Sequence, residues 1–228
     1  KGIIEIIGGG YLAVTPHITY RYLLEGLYKK NLAIHAWSYV PGLDHHYQAN
    51  EAWQCFRDCR NKIETRVGNR LNSVRIGHSL GSKLQLLAPD GGRNCSGLIS
   101  ISFNNYAAKH SIPIISNIAP KLGIQNEYSP SPGETIRLIS EFYFQQRNLI
   151  IRFSNDELDQ SILLFKLLNE RDIDLSESLL LAGNHLTPIN TGISNKLIRN
   201  NRGVSSINIE LNQLIEAISD WHDKALSS

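Results

Sequence analysis

Residues 73–87 read as a short strand, a sharp turn and a helix, and few folds accommodate that arrangement. Val74 and Ile76 form the strand, while Leu80, Leu84 and Leu87, spaced four and three apart, make one helical face. Between them, Gly77, Ser79 and Gly81 fill a G-x-S-x-G pattern. A serine at such a crossing takes a strained backbone conformation. Glycines on either side lack the Cβ atoms that would clash where strand and helix cross. The Ser79 hydroxyl is then expected at the carboxyl end of a strand and the amino end of a helix, where free N–H groups favour developing negative charge. The competing reading is an ordinary serine in a glycine-flanked turn.

The rest of the chain repeats the alternation of strand and helix. Apolar strand runs are expected at 3–7, 32–37, 98–103, 149–153 and 179–181. Helical patterns occupy 16–30 and 49–67, a stretch ending at Leu168, and an amphipathic segment at 207–226 whose Leu211, Leu214, Ile215, Ile218 and Trp221 share one face. This pattern predicts an α/β fold, with a mostly parallel central sheet covered by helices on both faces. The whole chain, 1–228, reads as one domain, for which 228 residues with 42% hydrophobic content suffice. Residues 107–137 break the alternation. They hold Pro113, Pro120, Pro130 and Pro132 with no clean strand, and read as a lid or cap insertion, or else as a surface excursion.

Charge and composition narrow the function classes. A net charge of +2 gives no reason to expect nucleic acid or an anionic membrane surface as partner. No apolar run approaches the length of a membrane span, so no transmembrane segment is expected. No signal-peptide pattern is visible, and the three cysteines, Cys55, Cys59 and Cys95, cannot all pair. They read as buried reduced thiols, pointing to the cytoplasm, or the plastid stroma in a plant, rather than secretion. The chain opens at Lys1 with no initiator, which reads as a trimmed amino terminus, and it contains no methionine.

Chemistry-bearing residues fall at the carboxyl ends of the expected strands. Gly8-Gly9-Gly10-Tyr11 follows the first strand at once; such a loop can turn N–H groups toward a ligand. The G-x-G-x-x-G spacing of a dinucleotide site fails here, and no cofactor is expected. Asp44-His45-His46 reads as a loop at a surface or pocket wall. Adjacent residues rarely converge on one ion, so no metal is expected. Ser79, Asp156 and His185 each follow a core strand, in the order Ser, Asp, His found in α/β-hydrolases. His185 would serve as base to Ser79, and Asp156 would hold its tautomer, with Asp159 as a rival acid. The Leu80 N–H and an N–H from Gly9, Gly10 or Tyr11 would hold an oxyanion. His78 reads as a pocket-lining residue.

The blocks Gly8-Gly9-Gly10-Tyr11, Tyr20 to Glu25, Asp44-His45-His46, Gly77 to Leu84, Leu87 to Asn94, Ser102 to Tyr106 and Asp156 with Asp159-Gln160-Ser161 occur in order. In them the chain resembles an uncharacterised α/β-hydrolase-like family of cyanobacteria and plant plastids, domain of unknown function 1350, over about residues 1–190. The resemblance implies the hydrolase fold, puts Ser79, Asp156 and His185 at the triad positions, and implies no firm substrate. Two functions follow as expectations. One is a serine hydrolase of esterase or thioesterase type, acting on a small-molecule acyl substrate, lipid-like ones included, through an acyl-enzyme. The other is a catalytically silent module binding a small molecule or lipid on the same scaffold.

Overall fold

The computed structural model describes residues 2–107, 127–189 and 204–227. Its centre is a six-stranded sheet of β1 (Gly2–Ile7), β2 (Leu32–Trp37), β3 (Ser73–His78), β4 (Gly97–Ile101), β5 (Asn148–Phe153) and β6 (Glu177–Leu181). The strand order is β2-β1-β3-β4-β5-β6, and every pairing is parallel. All residues of β1, β3 and β4 are buried. That is why β1 and β4 are near-continuous apolar runs, while β3, Ser-Val-Arg-Ile-Gly-His, puts Val74 and Ile76 on one covered face and buries Arg75 on the other: helices cover the sheet above and below.

Alternate residues of each strand feed opposite layers. On one face, Ile4, Ile6, Val74, Ile76, Ile99 and Ile101 pack against α2 (Arg21–Lys29) and α7 (Val204–Ser227), through Leu23, Leu27, Leu214 and Ile218. On the other face lie α3 (His45–Val67), α4 (Leu80–Leu86), α5 (Pro132–Phe142) and α6 (Ser161–Asn169), which contribute Phe56, Leu84, Ile139 and Leu164. A 3-10 turn at Gly10–Val14 and a short helix α1 (Pro16–Thr19) connect β1 to α2. Among the described residues, no helix is long and apolar enough to cross a membrane.

That second face also encloses charge. Glu5 and Arg75 are paired across β1 and β3, and each side chain is 1% exposed. Arg75 donates to both carboxylate oxygens of Asp90, at 2.8 and 2.7 Å, from the turn after α4. Arg60 of α3 reaches Glu5 at 3.1 Å. Arg75 is thus neutralised bidentately, as a buried guanidinium requires.

Several local expectations change. The helix expected over 16–30 is two pieces, divided at Tyr20, whose buried side chain turns inward. Asp44-His45-His46 is not a loop. Asp44 caps α3 by accepting from the Tyr47 N–H at 2.9 Å, and the two histidines form the first turn. Cys55 is exposed, not buried, and all three cysteines are free thiols. Of the expected insertion 107–137, residues 108–126 lie outside the described residues. Its far end is regular: Ser131 caps α5, and Pro132 occupies the first helical turn, where its missing N–H costs nothing.

Candidate active site

The turn between β3 and α4 holds Ser79 at φ 55° and ψ −120°, outside the ordinary regions for an L-residue. Backbone packing explains the flanking glycines. A Cβ at Gly77 would fall 2.3 Å from Ser82 Cα, and one at Gly81 would fall 2.1 Å from the Ile7 carbonyl oxygen. The Ser79 N–H donates to the Ile101 carbonyl at 2.9 Å, and Ser82 Oγ donates to the Gly77 carbonyl at 2.7 Å. Strained serine and crowded crossing are therefore held from both sides.

Two further loops bring partners to Ser79. The loop after β6 turns at Gly183 and carries His185, whose Nε2 lies 3.0 Å from Ser79 Oγ. The turn after β5 carries Asp156. Its carboxylate oxygens stand 2.9 and 3.1 Å from His185 Nδ1, and its side chain is fully buried. Asp159 faces elsewhere: it accepts from Arg152 Nε at 3.1 Å and from the Ser161 N–H at 3.0 Å. The arrangement can pass the Ser79 proton to Nε2 while Asp156 stabilises the imidazolium.

The glycine loop needs a correction. The Gly9 N–H donates to Tyr20 Oη at 2.7 Å inside the protein, so it is not free for an oxyanion. Gly10 and Tyr11 open the 3-10 turn, and Leu80 opens α4. Their N–H groups lack acceptors within those helices, and all three residues line the pocket beside Ser79.

His78 does not line that pocket; it lies behind it. Tyr20 Oη is 2.8 Å from His78 Nδ1, and His78 Nε2 is 3.0 Å from the His185 carbonyl. A carbonyl only accepts, so Nε2 carries the proton, Nδ1 accepts, and Tyr20 donates to it. Burial, reinforced by neighbouring His185, pushes the His78 imidazole down to about 3, which keeps it neutral. Burial also raises the Tyr20 phenol and keeps its proton in place. A single line of donors thus runs from the glycine loop through Tyr20 and His78 to the backbone of His185.

The pocket in front of Ser79 has a volume of about 350 Å³. Leu80 and His185 line it beside Ser79, and Lys83, His45, Tyr106 and Tyr128 line it as well. Its outer wall is fastened main chain to main chain: the Ser129 N–H donates to Leu43 O at 2.9 Å, and the His45 N–H to Ser129 O at 2.7 Å. A second hollow, about 510 Å³, is lined by Arg57, Arg60, Arg70 and Arg93 near the start of β3 and holds none of the residues around Ser79.

Tyr20 and Lys83 are the site residues that sequence reasoning missed; His45, expected at a surface or pocket wall, lines the pocket. For Lys83 a signal existed. It stands three residues after Leu80 and four before Leu87, on the same inward face, where a charge is out of place.

A family model described as a protein of unknown function (DUF1350) matches residues 1–217. Among solved structures, the Francisella virulence factor BioJ is similar at 18% identity and TM-score 0.64, over 96% of this chain and 77% of that one. The Pyrococcus furiosus esterase Pf2001 is similar at 11% identity and TM-score 0.60, over 98% and 83%. The monoacylglycerol lipase of Paleococcus ferrophilus is similar at 12% identity and TM-score 0.57, over 92% and 94%. At such identities the likeness is one of fold, and that fold is the α/β-hydrolase fold. No protein of curated function matches.

Proposed function

The chain belongs to the DUF1350 family, and for this member we propose a serine hydrolase that cleaves a carboxylic ester or thioester through an acyl-enzyme. The observation that carries the reading is the contact of Ser79 Oγ with His185 Nε2 at 3.0 Å, backed by Asp156 at 2.9 Å. A module that only binds has no need of a strained serine aligned with a base and a buried acid. The similarity in fold to an esterase and a lipase supports the same class.

In the proposed cycle, Ser79 Oγ attacks the acyl carbonyl as His185 accepts its proton. The developing oxyanion takes hydrogen bonds from the Leu80 N–H and from Gly10 or Tyr11. His185 then returns the proton to the leaving alcohol or thiol. Water, deprotonated by His185, releases the acid and restores Ser79. Asp156 holds Nδ1–H throughout and stabilises each imidazolium.

The test is labelling with a fluorophosphonate probe, located by mass spectrometry. Ser79 is expected to carry the label, Ser79→Ala to carry none, and His185→Ala to slow labelling by about 10³-fold or more. Absence of label from folded wild-type protein overturns the proposal and leaves the binding module as the better account.

A further inference from the structure

The pocket beside Ser79 has a polar end that the triad does not use. Lys83, His45 and Asn105 all line it, and they are exposed by only 1%, 1% and 5%. Lys83 Nζ donates to the Pro130 carbonyl at 3.2 Å and sits 5.7 Å from the centre of the Tyr128 ring. Among the described residues no carboxylate pairs with it; burial alone lowers its ammonium, to about 8, so it is still charged at neutral pH. His45 packs against Tyr128 with ring centres 4.2 Å apart and planes tilted by 33°, and neither of its ring nitrogens has a hydrogen-bond partner among the described residues. Asn105 donates from Nδ2 to the Pro132 carbonyl at 2.9 Å; its unpartnered Oδ1 is an acceptor, which calls for a donor and takes no part in holding an anion.

A buried ammonium without a counter-charge and a buried imidazole without partners are each costly. Water filling the pocket can satisfy the hydrogen bonds but not the charge. A ligand carboxylate satisfies both: one oxygen takes an Nζ–H, and the other takes the imidazole N–H. Phosphate fits less well, since a dianion calls for more than one cation and, among the described residues, no arginine lines this pocket. Lys83 is four residues from Ser79 along α4, a little over one turn or about 6 Å. The carboxylate would therefore lie a few bonds from the reacting carbonyl.

We propose that Lys83 and His45 form an anion subsite, and that the preferred substrates are esters or thioesters whose short acyl chain ends in a carboxylate. The substrate half rests on the serine-hydrolase reading; the subsite itself does not.

Two measurements test it. First, glutarate is titrated into Ser79→Ala protein by calorimetry, where no turnover occurs. Saturable binding is expected, weakened about tenfold or more in Ser79→Ala/Lys83→Met. Second, kcat/KM is compared for the 4-nitrophenyl esters of succinate and butyrate. The wild type is expected to favour the succinate ester by about tenfold or more, and Lys83→Met to bring the ratio close to one. Glutarate binding that is absent, or indifferent to Lys83, overturns the subsite; a wild-type ratio near one overturns the substrate assignment. Lys83→Met keeps the stem and removes an unpaired buried charge, so it is expected to melt higher than wild type. A lower melting temperature, with both esters losing rate in proportion in Lys83→Met and Lys83→Gln alike, would make Lys83 structural and overturn the proposal. Lys83-dependent glutarate binding in a protein that fluorophosphonate fails to label would keep the subsite and discard the hydrolase.

Discussion

The Tyr20 hydroxyl does two jobs at once: it accepts from the Gly9 N–H and donates to His78, which in turn holds the His185 carbonyl. Tyr20→Phe leaves a buried amide and a buried imidazole nitrogen without partners. We expect it to cost about 1–3 kcal/mol in urea unfolding and to slow Ser79 labelling about tenfold, since glycine loop and base both lose a support. Tyr20 acts through other residues, so the slowing should exceed what unfolding explains. None of this was legible from the chain, where Tyr20 reads as one more apolar position beside Leu23, Leu24 and Leu27. Its partner His78 is 58 residues away. Ser79, Asp156 and His185 were legible as positions because each directly follows a core strand, and the structure brings the three side chains within hydrogen-bond reach. Asp156 is preferred to Asp159 in the sequence because it comes sooner after its strand, and in the structure Arg152 holds Asp159 away from His185.

At the scale of elements, the crossing of β3 and α4 leaves the least room. A methyl at Gly81 would press on the Ile7 carbonyl and the backbone of Gly8, neither of which can yield without disturbing the central strand. Gly81→Ala is expected to lose about 3 kcal/mol or more in urea unfolding, or to fail to accumulate as folded protein, and to abolish labelling in what remains. Strands such as β1 and β5 were readable because burial on both faces demands apolar runs, and this crossing because Gly77 and Gly81 flank Ser79 between Val74-x-Ile76 and a leucine face. Helix α5 was not. Prolines surround its start, and only the Ser131 cap with Pro132 just inside turns that signal from breaker to initiator. The start of α3 is hidden for a similar reason: two histidines after Asp44 mimic a ligand cluster, while the Asp44 side chain serves as a helix cap.

Over the whole molecule, the buried ions couple the sheet to acid stability. Burial alone would raise the Asp90 carboxyl, but its hydrogen bonds to Arg75 prevail and hold it at about 2. A depressed carboxyl contributes fully above its unfolded value, roughly 4, and that contribution disappears as pH falls through the folded value. Asp90→Asn strips Arg75 of its bidentate partner and should cost about 3 kcal/mol at neutral pH. Melting curves of wild type and variant should then converge as pH drops from 5 toward 2; a constant gap would refute this account. The overall architecture was the most legible feature of the chain, because alternating strands and helices leave few ways to cover a parallel sheet. The ion cluster was not, since a lone Glu5 or Arg75 inside an apolar run carries no mark of its partner.

The two halves of the pocket are built by different means. The catalytic half depends on named side chains: a hydroxyl, two imidazoles, a phenol and a carboxylate. The outer wall depends on peptide groups, with Leu43, His45 and Ser129 clasped through their main chains. Peptide groups are common to every residue, so the wall can keep its shape while the side chains on it drift. Variation among descendants of this scaffold would then gather on the wall and alter what is recognised, while the reaction stays the same. A laboratory library would be randomised on that wall for the same reason.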